Sequence, residues 1–403
     1  MRELSPRLIA GIVITVAIAT ALKIYLILFT PFTGDFFNWV NGASICLLLF
    51  SIRVLPTPNA YTGLMSLLAP FYWIWTILPI AHPALLDMVG QYSTPEFALV
   101  FLMKLPALTF DAFSGILLYK LVRERTGLQR NGWIAFLVWY LNPYNSYWIY
   151  HYGGFDVIPV AIILLAVLYG NHGKWLRCGF CASIATVLRI FPLLLFPFLI
   201  FYAAKQGLRP TARILVSLVL PLAVVFFAVA YARGSFGSGL STFLDIPNIE
   251  PYLQDFWGFP LDAANAYFKL TPFLLILQLY VIIQYWRNAA SWVEDILAAA
   301  ILVMLVSQPQ GNAHHFLWAS PFLSAYYSMG RLKGKLFAAV YVAAALFPSW
   351  IDTPQRLISI QIEPLFGAIF VGIKAIILLT VNSHSMQIRP QVRSAIHYLS
   401  LTQ

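Results

Sequence analysis

Acidic residues in apolar surroundings are the part of this sequence best placed to do chemistry. Asp35 follows directly on an apolar stretch over 9–29, within Pro31-Phe32-Thr33-Gly34-Asp35-Phe36. A carboxylate at a membrane boundary is expensive enough to need a reason. It could serve as a general base or a metal ligand, and equally as the N-cap of a helix beginning at Phe36. Asp156 closes a second segment, which opens with Asn142-Pro143 and ends His151-Tyr152-Gly153-Gly154-Phe155-Asp156. The paired glycines permit a tight backbone and the close approach of a ligand. The aromatic residues before them offer faces for sugar rings or form an interfacial belt, and the belt suits Trp148 and Tyr150 better than it suits His151 and Asp156. Asp156 can also cap the helix that follows.

The basic candidates are fewer. Arg189 lies inside the apolar Val187-Leu188-Arg189-Ile190-Phe191-Pro192. An intramembrane arginine points first to function, with a lipid-linked phosphate as its natural partner and snorkelling as the bland alternative. Lys104 and Asp111 are seven residues apart, which is two helical turns and one face, the pattern of a polar network across a bundle. The run Ser307-Gln308-Pro309-Gln310-Gly311-Asn312-Ala313-His314-His315 is the most polar part of the late sequence. Adjacent histidines point in different directions on a helix, so His314 and His315 fit hydrogen bonding to phosphate or sugar better than a two-His metal site. Cys178 and Cys181 have CxxC spacing but no second ligand pair, which favours buried thiols over zinc. No Walker, Rossmann, HExxH or GxSxG pattern is present, so nothing here cradles a nucleotide.

The elements that must hold these residues are membrane helices. The chain is 60% hydrophobic and 10% charged, against roughly 25% charged in a soluble domain. Its mean hydropathy is +0.78. Near-continuous apolar runs over 157–169, 212–231, 271–285 and 365–380 have helical length and lack the alternation of a barrel. The net charge of +10 sits in short basic loops around Arg2 and Arg7, Arg123 to Arg130, Lys174 and Arg177, Lys205 to Arg213, Arg331 to Lys335, and Arg389 and Arg393. By the positive-inside rule these are cytoplasmic, which explains the basic balance without nucleic acid.

Those loops set an expected topology of ten to thirteen spans in an all-α polytopic bundle. A first helix, read as a retained signal anchor, leads to a long outer segment over 31–97 with interfacial helices at 39–55 and 61–80. Helices follow at 97–121, 133–149 and 157–174. The stretch 176–204 has basic flanks and is too short for two ordinary spans, so it is expected to be a broken hairpin turning at Arg189 to Pro192. A helix at 214–232 precedes an outer loop at 233–269. Later helices are expected near 271–286, 294–308, 316–330, 336–349 and 362–381. Residues 1–381 thus form one transmembrane domain and 382–403 a cytoplasmic tail.

In this order the motifs resemble the GT-C class of membrane glycosyltransferases. Asp35 stands in the place of that class's first-loop acid. Asn59-Ala60-Tyr61-Thr62-Gly63-Leu64 looks like its Tyr-Pro-Pro-Leu segment, and Lys104-Leu105-Pro106-Ala107 to Asp111 resembles its Arg/Lys-Leu-Pro-Ser/Ala…Asp helix. Asn142-Pro143 with Gly153-Gly154-Phe155-Asp156 is similar to the Asn-Pro…Gly-Gln-Phe-Asp pattern of polyprenyl-phosphate-mannose transferases, with Gly154 in place of Gln. Arg189 and Pro192 correspond to Lys-x-x-Pro, and His315-Phe316-Leu317-Trp318 to a Tyr-Phe-Leu-Trp element.

The resemblance implies transfer of a sugar, mannose by analogy, from a polyprenyl- or dolichyl-phosphate donor to a lipid- or glycan-linked acceptor on the non-cytoplasmic face. It makes Asp35 the catalytic base of an inverting displacement. It puts the donor phosphate near Arg189, His314 and His315, and gives Asp156, His151, Lys104 and Trp257 to substrate binding. A divalent cation, magnesium or manganese, is optional, because Asp35 is single where many members pair two acids. A prokaryotic plasma membrane is favoured over the endoplasmic reticulum. A transporter or flippase of lipid-linked solutes also accounts for many helices and an intramembrane arginine, although no internal repeat is visible. A non-catalytic subunit of the same class is the third alternative.

Overall fold

Backbone groups surrounded by apolar side chains must satisfy one another within a segment, and the chain does so with helices. The computed structural model describes residues 6–29, 40, 43–44, 62–78, 97–151, 154–189, 191–232 and 313–330, with no strand among them. Residues 6–232 belong to one compact unit and residues 313–330 to a second. The first unit opens with α1 (Pro6–Phe29), α2 (Thr62–Thr76), α3 (Phe97–Thr126) and α4 (Gln129–Tyr140). Among the described residues, three stretches are long and apolar enough to cross a membrane: Ile9–Leu28, Ala98–Thr126 and Leu208–Val225. On α1, Val13, Ile14, Ile18 and Leu22 are each more than half exposed, an apolar stripe that lipid would cover and water would not.

The stretch expected to be a single helix at 133–149 is broken. α4 stops at Tyr140, and a short helix α5 (Pro143–Ser146) runs into one π-helical turn (Tyr147–His151). The break has a local cause. Proline at 143 disfavours helical dihedrals at Asn142, which takes φ −64° and ψ 115° and accepts a hydrogen bond on Oδ1 from the Tyr144 N–H at 3.0 Å. Asn145 donates back to the Trp139 carbonyl at 3.3 Å, serving the end of the helix just finished. The chain then turns through Gly154, whose N–H meets the Trp148 carbonyl at 2.9 Å. A Cβ at Gly154 would lie 2.9 Å from that carbonyl oxygen, so the glycine serves backbone on backbone rather than the approach of a ligand.

α6 (Val157–Asn171) and α7 (Trp175–Leu188) follow, and the hairpin expected between the two basic flanks is present. The chain leaves α7 at Arg189, passes through a 3-10 turn (Phe191–Leu195) and returns as α8 (Phe196–Ala204). Trp175 at the start of α7 meets Tyr202 near the end of α8, ring centroids 5.7 Å apart, which closes the hairpin. α7 also lies tightly against α9 (Leu208–Ala232), where Gly179 allows the contact. A side chain there would collide with Ser217 Oγ and sit 2.9 Å from the Ile214 carbonyl.

In the second unit, a 3-10 turn (Ala313–Trp318) precedes α10 (Ser320–Ser328), where a single helix over 316–330 was expected. Pro321 in the first turn of α10 marks the new start. The interfacial helix expected at 61–80 is α2, which packs on α3 and α7 through buried Leu68, Ala69 and Trp75. Most of 31–61 and 79–96, the loop at 233–269, the remaining late helices and the tail lie outside the described residues.

Gly179→Val should lower stability by ~1–3 kcal/mol or more through overpacking against α9. Gly11→Ala, which points into open space, should change it by less than ~1 kcal/mol. Thermal midpoints in one detergent compare the two.

Candidate functional site

Two buried charged clusters stand in the first unit. The first is centred on Asp111, which the middle of α3 buries to 1% exposure. Lys23 of α1, 88 residues away, donates to Asp111 Oδ2 at 2.6 Å and is itself 3% exposed. The Tyr150 hydroxyl donates to the same oxygen at 2.6 Å, and the Trp139 indole N–H donates to the Asp111 backbone carbonyl at 3.1 Å. Lys23 Nζ also lies 3.1 Å from the centroid of the Tyr140 ring, a cation–π contact in apolar surroundings. The Tyr140 hydroxyl bonds Thr20 Oγ1 at 2.8 Å, tying α4 to α1 a second time. Two turns earlier on α3, Lys104 donates to the Tyr150 carbonyl at 2.5 Å.

The second cluster joins the two motifs that bracket α6 and α7. Asp156 Oδ1 and Arg189 Nε are 2.8 Å apart, with side chains 4% and 10% exposed. That N–H is not aimed at the oxygen, so the contact is an ion pair rather than a directed hydrogen bond. Arg189 reaches it because the residue is the end of α7, with extended backbone at φ −155° and ψ 133°. Asp156 stands at the N-cap position of α6 but makes no side-chain cap bond there. The capping reading therefore yields to the ion pair, since a buried carboxylate gains more from an adjacent guanidinium than from one amide.

Among the residues singled out from sequence, Asp156 and Arg189 come together. Lys104 and Asp111 do not touch each other; Tyr150 links them, its two ends held by one residue each. Tyr150 itself is wholly buried and hydrogen-bonded, so the aromatic-belt reading fails for it. His151 lies in the π-helical turn and His314 and His315 in the 3-10 turn, while Asp35 and Trp257 lie outside the described residues. Lys23 was missed. One lysine inside a long apolar run looks like a boundary residue, and the signal that could have marked it was Asp111, which needs a buried counter-charge from another helix.

Among the described residues no group of three His, Cys, Asp or Glu side chains could hold a metal ion. The two buried carboxylates face protein cations, so the described residues do not make a divalent-cation site. A groove of about 240 Å³ runs beside α1, lined by Ile18, Leu22, Leu26, Lys23, Tyr140 and Ser146 among others. It borders the Asp111 cluster and includes neither Asp156 nor Arg189 in its wall.

No family model, curated protein or solved structure matches this chain. Its chemistry therefore has to be read from the two clusters. The Asp111 cluster is closed, with its charges neutralised inside the protein, and suits holding helices in register. The Asp156–Arg189 pair joins the start of α6 to the end of α7, and a guanidinium and a carboxylate can meet an anion and a hydroxyl respectively.

Breaking the first pair should be costly and replacing it should not. Lys23→Met or Asp111→Leu alone strands a buried charge, at ~3–5 kcal/mol, whereas Lys23→Met with Asp111→Leu should recover at least half of that loss. Chemical or thermal unfolding of the three variants in detergent measures the difference.

Proposed function

We propose that this chain is an integral membrane glycosyltransferase of GT-C type, moving a sugar from a polyprenyl-phosphate carrier to a lipid- or glycan-linked acceptor with inversion. One observation carries the reading. Motifs that resemble the class from three separate stretches converge: Asp156 of Gly-Gly-Phe-Asp lies 2.8 Å from Arg189 of Arg-x-x-Pro, and Lys104 of Lys-Leu-Pro-Ala holds the turn leading to Asp156. Exposed apolar helix faces around them suit a substrate that arrives within the bilayer and a multi-pass membrane protein.

The chemistry follows from the residue types. A carrier phosphate becomes a good leaving group once a cation offsets the charge that grows as the C1–O bond breaks, and Arg189 supplies that cation. Asp156 holds the guanidinium in place by its charge and can accept hydrogen bonds from sugar or acceptor hydroxyls. Asp35 takes the proton of the acceptor hydroxyl, whose oxygen attacks the anomeric carbon from the side opposite the departing phosphate. The products are the glycosylated acceptor and free polyprenyl phosphate. Mannose is the first sugar to try, on the strength of the Asn-Pro…Gly-Gly-Phe-Asp resemblance.

The test is transfer from radiolabelled polyprenyl-phosphate-mannose by purified protein, wild type beside Asp35→Asn. Transfer should appear with the wild type and fall by ~10²-fold or more with the variant, the scale of a lost general base. Equal transfer by both would remove Asp35 from the mechanism. If wild type transfers no sugar from mannosyl, glucosyl or arabinosyl carriers, yet proteoliposomes move the labelled lipid across the bilayer, a transporter replaces the enzyme.

A further inference from the structure

We infer that Asp111 is a positioning residue: with Lys23 and Lys104 it fixes Tyr150 at both ends, and through Tyr150 the turn that brings Asp156 to Arg189. The catalytic consequence rests on the proposed transfer reaction; the positioning itself does not.

The geometry is that of a clamp. Lys104 and Asp111 stand two turns apart on one face of α3, ~10.5 Å along its axis. Tyr150 lies along that face, its carbonyl accepting from Lys104 at 2.5 Å and its hydroxyl donating to Asp111 at 2.6 Å. All three side chains are 1% exposed or less. Tyr150 belongs to the π-helical turn, and the Lys104 and Asp111 anchors hold that turn on α3. Downstream, the Gly154 N–H closes on the Trp148 carbonyl at 2.9 Å, and Phe155 is buried to 1%. These contacts stand between Tyr150 and Asp156 in the chain.

Stability alone does not call for this arrangement. Three well-packed apolar side chains would fill the same space with no charges to desolvate, and such replacements are often neutral or stabilising. What apolar groups lack is direction. Asp111 accepts from Lys23 and Tyr150 on one oxygen, a fork that sets the tyrosine hydroxyl beside the ammonium. Lys23 then has a defined part: it neutralises the carboxylate, so that Asp111 remains an acceptor in an apolar helix.

Tyr150→Phe removes the directed bond and keeps the ring. Lys23→Met with Asp111→Leu removes the fork and keeps the packing. Glu124→Gln, in a half-exposed pair 3.4 Å from His172, is the control for loss of a charge. Amide exchange by mass spectrometry, thermal midpoint and, where transfer is measurable, kcat and KM are read on each. Exchange over 148–156 should rise on the order of tenfold in the first two variants, the opening that a hydrogen bond to a charged group suppresses, with α1 and α3 unchanged in Tyr150→Phe. The control should match wild type throughout. The rate constant kcat should fall more than KM rises. Unchanged exchange over 148–156 in both variants would overturn the inference, as would, in Tyr150→Phe, a rise spread evenly over α1 and α3 with a lower midpoint. Local loosening of the turn in a protein that transfers no sugar would uphold the clamp and refute the transferase.

Discussion

A carboxylate in the middle of an apolar helix has to be answered by a positive charge on another helix, and the first unit is arranged around that requirement. Asp111 cannot be solvated where it stands, so α1 must approach closely enough for Lys23 to reach it at 2.6 Å. That approach puts Tyr140 under the ammonium and brings Thr20 against the Tyr140 hydroxyl. It also sets the distance from α1 to α4, since Trp139, one residue before Tyr140, bonds the backbone of Asp111. One charge pair thus fixes the separation of three helices whose apolar faces would tolerate sliding, because dispersion and burial have no direction of their own.

The second constraint is the interruption after α4. Asn142 and Pro143 end one helix and begin another within three residues, and the π-helical turn that follows never regains a regular ladder. An apolar helix broken in this way must find partners for its backbone elsewhere, and Lys104, Asn145 and Gly154 provide them. The break delivers Asp156 to the same place where a second interruption, at the end of α7, delivers Arg189. Asp156 and Arg189 both stand at helix ends, and the interrupted backbone there lets the two side chains meet.

Much of this was legible in the sequence. Unbroken apolar runs with basic loops between them announced helices, and the length and charge of 176–204 announced a broken hairpin, which Trp175 and Tyr202 close. The seven-residue spacing of Lys104 and Asp111 announced a shared face. What could not be read was which partner each charge would take. Lys23 is one cation inside the apolar run over 9–29, and spacing within a helix says nothing about a residue 88 positions away. Tyr150 looked like a belt residue because aromatic composition does not distinguish a hydroxyl in a headgroup region from one bonded to a buried acid. Neighbouring residues alone make Asp156 a substrate ligand or a helix cap and Arg189 a phosphate ligand, whereas their meeting depends on two helix ends and on the packing of α6 against α7 between them.

The central claim is that Arg189, held by Asp156, faces a lipid phosphate. Binding of polyprenyl phosphate without sugar to purified protein in nanodiscs tests it most directly, comparing wild type with Arg189→Met and Arg189→Lys. Loss of one charge-assisted contact is worth ~1.5–3 kcal/mol, so Arg189→Met should weaken binding by tenfold or more, with Arg189→Lys in between. Equal affinity in all three proteins would contradict the account and leave the Asp156–Arg189 pair a structural bridge.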